Sequence, residues 1–91
     1  MPGMSKCPLV MVEWVDSRQP EPGWRWLSSF KPSGGPCDCA SVGWLIHDGD
    51  DAKALAPNMA DLGDGDDMQA SGVIQIPTPA IRRIVPLDER A

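Results

Sequence analysis

The chain has 91 residues, enough for one small domain that buries roughly 60% of its unfolded surface around a single core. Four Trp, one Phe and no Tyr stand beside ten Pro and nine Gly, a density of chain-breaking residues that excludes long helices and favours short strands. Thirteen acidic residues against eight basic ones leave a net charge of −5, with no basic stripe to neutralise nucleic-acid phosphates, so direct nucleic-acid binding is not expected.

Residues 1–8, MPGMSKCP, read as a loose leader ending in a proline, and residues 88–91 as a short tail, leaving 9–87 as the folded domain. LVMVEWV, Leu9 to Val15, is the first expected strand, with Val10, Val12 and Trp14 on one face and Met11, Glu13 and Val15 on the other. Asp16–Gly23 is Pro-rich and polar and reads as a surface loop. WRWLSSF, Trp24 to Phe30, alternates as a short strand would, with a helical turn as the competing reading. Lys31–Asp38 reads as a second loop.

ASVGWLIHD, Ala40 to Asp48, is the next strand, with Val42, Trp44 and Ile46 opposed to Gly43, Leu45 and His47. The alternation of both strands places Trp14 and Trp44 in the core. Asp-Gly then predicts a tight hairpin through Gly49–Asp51, returning along Ala52–Pro57. Asn58–Ala70 is acidic and lacks apolar periodicity, so it reads as an exposed loop with at most one helical turn around Met59–Leu62. Seven Asp and one Lys lie between Asp48 and Asp67, leaving that stretch at −6.

VIQIP, Val73 to Pro77, alternates as a strand and must stop at Pro77, which has no N–H for a ladder. Thr78 and Pro79 start a helix well, but Pro86 leaves no room for one and Ile84 and Val85 favour a strand. The consistent reading is a 3₁₀ turn at Thr78–Ile81 followed by a last strand over Arg82–Leu87.

That ending, with Gly72, Ile76, Pro77, Ala80, Ile81 and Ile84 in order, resembles the closing segment of SH3-like barrels. The resemblance implies an all-β, SH3-like barrel of about five strands with a 3₁₀ turn before the last. The acidic-aromatic motif of the peptide-binding members is absent from the first strand, so proline-rich ligands are not implied. The wider pattern VEWVD…GWRW…VGWLI…KALAPN…GVIQIPTPAIRRI is similar to small proteins encoded by bacteriophages and prophages of Gram-negative bacteria. It implies an accessory protein that binds host or viral proteins, including components of host defence, and it implies no catalytic residue.

Enzyme chemistry finds little to work with. Cys7, Cys37, Cys39 and His47 nominally make a zinc set, but one CxC and two distant singles lack the paired knuckles of structural zinc sites. The Asp-Gly tetrads lack calcium-loop spacing. His47 beside Asp48 is the sole side chain with a base near neutrality and reads as a solvated turn residue. The expectation is therefore no enzyme, no cofactor and no metal.

Binding is the stronger reading. Trp24 and Trp26, beside loops with Arg25 between them, read either as an exposed anchor for a partner or as a lid over the barrel end, and Asp48, Asp50, Asp51, Asp64, Asp66 and Asp67 would steer a protein partner with a basic surface. Arg82 and Arg83 are a local basic spot that reads either as solvated surface, one on each face of the last strand, or as a contact to a ligand or a second subunit. From them comes the alternative reading, an oligomer that sequesters a small nucleotide signal between subunits. A homo-oligomer is expected because exposed strand edges and surplus aromatics favour self-association. No apolar run suits a signal peptide or a membrane span, so a cytoplasmic location in the infected bacterial host is expected, without a membrane partner.

Overall fold

The computed structural model describes residues 7–18, 20, 22–32, 34–61 and 67–88. Among them seven strands form: β1 (Leu9–Asp16), β2 (Cys37–Asp48), β3 (Ala52–Ala56), β4 (Asn58–Ala60), β5 (Gln69–Ser71), β6 (Ile74–Pro77) and β7 (Ile81–Pro86). Two 3₁₀ turns, Leu27–Ser29 and Thr78–Ala80, are the only helical segments among the described residues. The chain is all-β, as composition and punctuation require. The expected leader residues 1–6 and tail residues 89–91 lie outside the described residues.

Five strands make one antiparallel sheet in the order β6-β3-β2-β1-β7, and β4 pairs with β5 in a separate two-stranded ribbon. β6 and β7 follow one another in the chain yet lie at opposite edges of the sheet. The Thr78–Ala80 turn makes that passage, so the sheet must curl, but β6 and β7 are not hydrogen-bonded to each other. The closed barrel expected from the sequence is therefore corrected to a curled, open sheet. β6 is only four residues long and ends at Pro77, which cannot donate to a further ladder.

The core is small. Val10, Val12, Leu55 and Ile76 are buried, with Trp14, Leu45, Ile74, Ala80, Ile81 and Ile84 packed against them. β1 opposes β2 without a register shift, pairing Val10 with Gly43, Val12 with Ser41 and Trp14 with Cys39. Residues directly opposite share a face, so Ser41 and Gly43 look into the core from β2 while Val42 and Trp44 look away. Trp44 is thus corrected from a core residue to a half-buried one on the opposite face, across from Leu9. Its indole Nε1 is buried without a hydrogen-bond partner among the described residues, whereas Trp14 Nε1 donates to Ser41 Oγ at 3.0 Å.

Glycine is required at position 43 by proximity. A Cβ there would stand 2.9 Å from the carbonyl oxygen of Ala56 on β3. A register shift between Leu45 and His47 then bends β2, whose first part pairs with β1 and whose last part pairs with β3. β2 also starts at Cys37, three residues before the expected boundary. The segment read as a loop with a helical turn around Met59–Leu62 contains β4 up to Ala60; Leu62 and the following residues to 66 lie outside the described residues.

The acidic hairpin and the second 3₁₀ turn are tied together. Thr78 N–H donates to Asp51 O at 2.9 Å, and its hydroxyl to Gly49 O at 3.4 Å. Thr78 therefore spends its side chain on the hairpin and makes no cap of its own turn; the N-cap is Pro77.

Candidate functional site

The β1–β2 connection, residues 17–36, carries the largest exposed apolar side chains of the described residues. Trp24 is fully exposed, Leu27 is 94% and Trp26 83% exposed, and Phe30 is 55% exposed. Of the two readings of Trp24–Phe30 the strand is not formed and the helical turn is: extended chain at Trp26 leads into the 3₁₀ turn Leu27–Ser29. Ser29 N–H and Oγ both hold the Trp26 carbonyl, at 3.1 and 3.2 Å, and Phe30 N–H donates to Leu27 O. These short bonds keep the apolar side chains outside the turn, since none of its residues is buried.

The base of the loop is clamped by one side chain. Arg18 Nε donates to Gly35 O, and its Nη2 to Gly34 O at 3.2 Å. Both glycines have positive φ, 77° and 65°, a region costly for residues with a Cβ. Beside the clamp lies an open groove of about 580 Å³, lined among others by Arg18, Trp24, Arg25, Phe30 and Pro32. Ser17–Pro36 contains Arg18, Arg25 and Lys31 against Glu21 alone, so three cations less one anion leave it at +2. The remainder of the chain then carries −7.

The acidic end is built separately. Asp48, Asp50 and Asp51 are exposed on the β2–β3 hairpin. Lys53 pairs with the Asp48 carboxylate and donates to Gly49 O at 3.1 Å, which offsets part of the charge. Asp67 is exposed at the approach to β5, while Asp64 and Asp66 lie outside the described residues. The structure therefore brings Trp24, Arg25 and Trp26 together on one loop. It keeps them apart from Asp48, Asp50 and Asp51: the loop precedes Cys37, the hairpin follows Asp48, and no hairpin residue lines the loop's groove.

Arg82 and Arg83 alternate across β7 and are each engaged within the chain. Arg82 Nη1 lies 3.3 Å from Asp38 Oδ1. Arg83 grips Glu13 with two nitrogens, Nε to Oε2 at 2.5 Å and Nη2 to Oε1 at 3.2 Å. That pairing, chiefly its hydrogen bond, holds the Glu13 carboxyl below its ordinary value and the Arg83 guanidinium above its own. Arg82 also borders a cleft of about 360 Å³ with Glu13, Trp14, Asp38, Cys39 and Ala40.

The nominal zinc ligands do not converge. Cys37 and His47 share β2, and the seven regular steps from Cys37 to Trp44 alone span about 23 Å. Among the described residues no three His, Cys, Asp or Glu side chains gather as a metal site. Partial burial, followed by the Cys37 hydrogen bond and the charges of Cys37 and Asp16, pushes the Cys39 thiol up. A raised thiol is less often a thiolate, which lowers the nucleophilicity of Cys39.

Two features escaped the sequence reading: the Arg18 clamp and the carboxylate partners of Arg82 and Arg83. Asp16–Ser17–Arg18 and Ser33–Gly34–Gly35 carry no local signal for a contact across so many residues. Comparison of the chain with protein-family models, with curated proteins and with solved structures finds no match.

Proposed function

We propose that this is a non-catalytic binding protein with two contact surfaces, built on an SH3-like half-open roll. The roll reading is supported by the strand order β6-β3-β2-β1-β7 together with the 3₁₀ turn carrying the chain from one edge to the other. The observation that carries the binding reading is the exposure of Trp24, Trp26, Leu27 and Phe30 on one loop. A domain with so little buried apolar surface gains nothing by leaving these side chains in water, and such patches mark contact sites.

The acidic hairpin, Asp48, Asp50 and Asp51, is the second surface and engages a host or viral protein through a basic patch. Charge there accelerates encounter and selects against acidic partners. A phage accessory protein acting in the bacterial cytoplasm, against host defence among other targets, accords with the sequence pattern. Capture from host lysate across a salt series tests it, with wild type beside the Asp48→Asn, Asp50→Asn, Asp51→Asn triple variant. The expected result is a protein retained by wild type at low salt, released as salt rises and missed by the variant. Retention unaffected by both salt and variant overturns the reading.

A further inference from the structure

The aromatic loop differs from the rest of the molecule in shape and in charge. Its apolar side chains project: Trp24 is fully exposed and Leu27 and Trp26 nearly so, which suits insertion into a soft apolar medium. Its charge is +2 on a chain whose remainder is −7. Tryptophan, leucine and phenylalanine at a tip flanked by arginine and lysine are the side chains that settle at the boundary of headgroups and acyl chains. From these two observations we infer that the loop is a peripheral anchor for an anionic lipid surface.

The rings of Trp24 and Trp26, with Leu27 and Phe30, enter the interfacial layer. Arg25 and Lys31, next to them in the chain, meet lipid phosphates at the headgroup level, each adding attraction. The Arg18 clamp on Gly34 and Gly35 holds the loop base, so insertion costs less ordering than it would for a slack loop. The acidic hairpin does not undo this. Regular β2 between the two ends spans about 23 Å, more than twice the Debye length of ~8–10 Å in physiological salt. The contact so inferred is one of surface association by the loop; no helix among the described residues is long and apolar enough to cross a membrane. It leaves the acidic end directed away from the lipid and open to its protein partner.

Vesicles give the test. Purified full-length protein is mixed with unilamellar vesicles of phosphatidylcholine, with and without phosphatidylglycerol. Co-sedimentation, tryptophan emission and quenching by brominated lipid are the readouts. Wild type is expected to sediment with the phosphatidylglycerol vesicles, shift its emission to the blue, be quenched, and release as salt rises. The Trp24→Ser, Trp26→Ser double variant should bind at least about tenfold more weakly. Its melting transition and its Trp14 and Trp44 emission should stay as in wild type, since both replaced side chains are exposed. Arg25→Glu with Lys31→Glu should lose preference for the anionic vesicles.

Absence of vesicle binding by wild type at low salt overturns the inference, as does binding that survives the double variant. Self-association abolished by the double variant, or an acidic protein segment held by the loop, overturns it equally if the vesicles are not bound. The hairpin triple variant separates this from the protein partner: it should still bind vesicles, and either surface can fail alone.

Discussion

Arg83 on the last strand and Glu13 on the first are register partners, and the guanidinium grips the carboxylate with two hydrogen bonds across 70 residues of sequence. The pair joins the two ends of the described chain at the β1–β7 edge, beside the register shift between Glu13 and Trp14.

Because the pair holds Glu13 below its ordinary value of 4.5, its contribution is present above that pH. It is lost as pH falls through the lower folded value. Thermal melts of wild type and Glu13→Gln should differ at neutral pH, with wild type higher. The gap should close as acid protonates Glu13. A gap that persists unchanged at low pH would show that the ion pair is not its source. Both groups are solvent-facing, so the gap should also narrow with added salt.

Arg18→Ala should free the base of the β1–β2 loop while sparing the sheet. The change removes donors from Gly34 and Gly35 carbonyls and nothing from the core. Chymotrypsin cleavage near Trp24–Phe30 is expected to quicken several-fold, with the melting temperature of the remaining sheet little moved. Equal cleavage rates would mean that the loop's own turn suffices.

The two half-buried indoles make a paired test. Trp14→Phe removes a donor and strands the Ser41 hydroxyl, a loss of about 1 kcal/mol beyond the change in packing. Trp44→Phe deletes a buried N–H that has no partner among the described residues, which offsets its packing loss. Urea denaturation should rank Trp14→Phe as the more destabilising by roughly 1 kcal/mol.

Two glycine substitutions separate crowding from backbone strain. Gly43→Ala drives a Cβ to 2.9 Å from backbone oxygen on β3 and should cost about 1–3 kcal/mol, read as a lower urea midpoint. Gly35→Ala meets open space but keeps a φ of +65°, so its cost is roughly 1 kcal/mol and confined to the loop. For scale, Ile76→Ala at the centre of the core should cost about 2–5 kcal/mol, a large share of a small domain's stability.

The elements that repeat a short-range pattern were readable in the chain. The alternation Val10, Val12, Trp14 identifies β1 and its inward face, Asp48–Gly49 identifies the β2–β3 hairpin, and the prolines at 77 and 86 force a turn at Thr78 too short for a helix. β4 and β5 were not readable, because three-residue strands that include Asn58 and Gln69 exist only through each other's hydrogen bonds. The exposure of Trp24 and Trp26 was half readable. The loops on either side were evident from their prolines and glycines, but the alternation of Trp24, Arg25 and Trp26 suggested a strand, and whether the rings folded back over the sheet depends on where residues 17–36 project.

The all-β character, the principal strands and the turn at Thr78 are written locally in the chain, since each follows from alternation, β-branching and the missing N–H of proline within a few residues. That β6 and β7 occupy opposite edges, and that Trp44 faces away from Val10 and Val12, follows from the three-dimensional pairing of the strands. The same pairing brings Arg82 and Arg83 to Asp38 and Glu13, and sets the aromatic and acidic surfaces beyond opposite ends of β2. Those outcomes depend on which strands pair and in what register, and a one-residue slip in register turns every side chain to the other face.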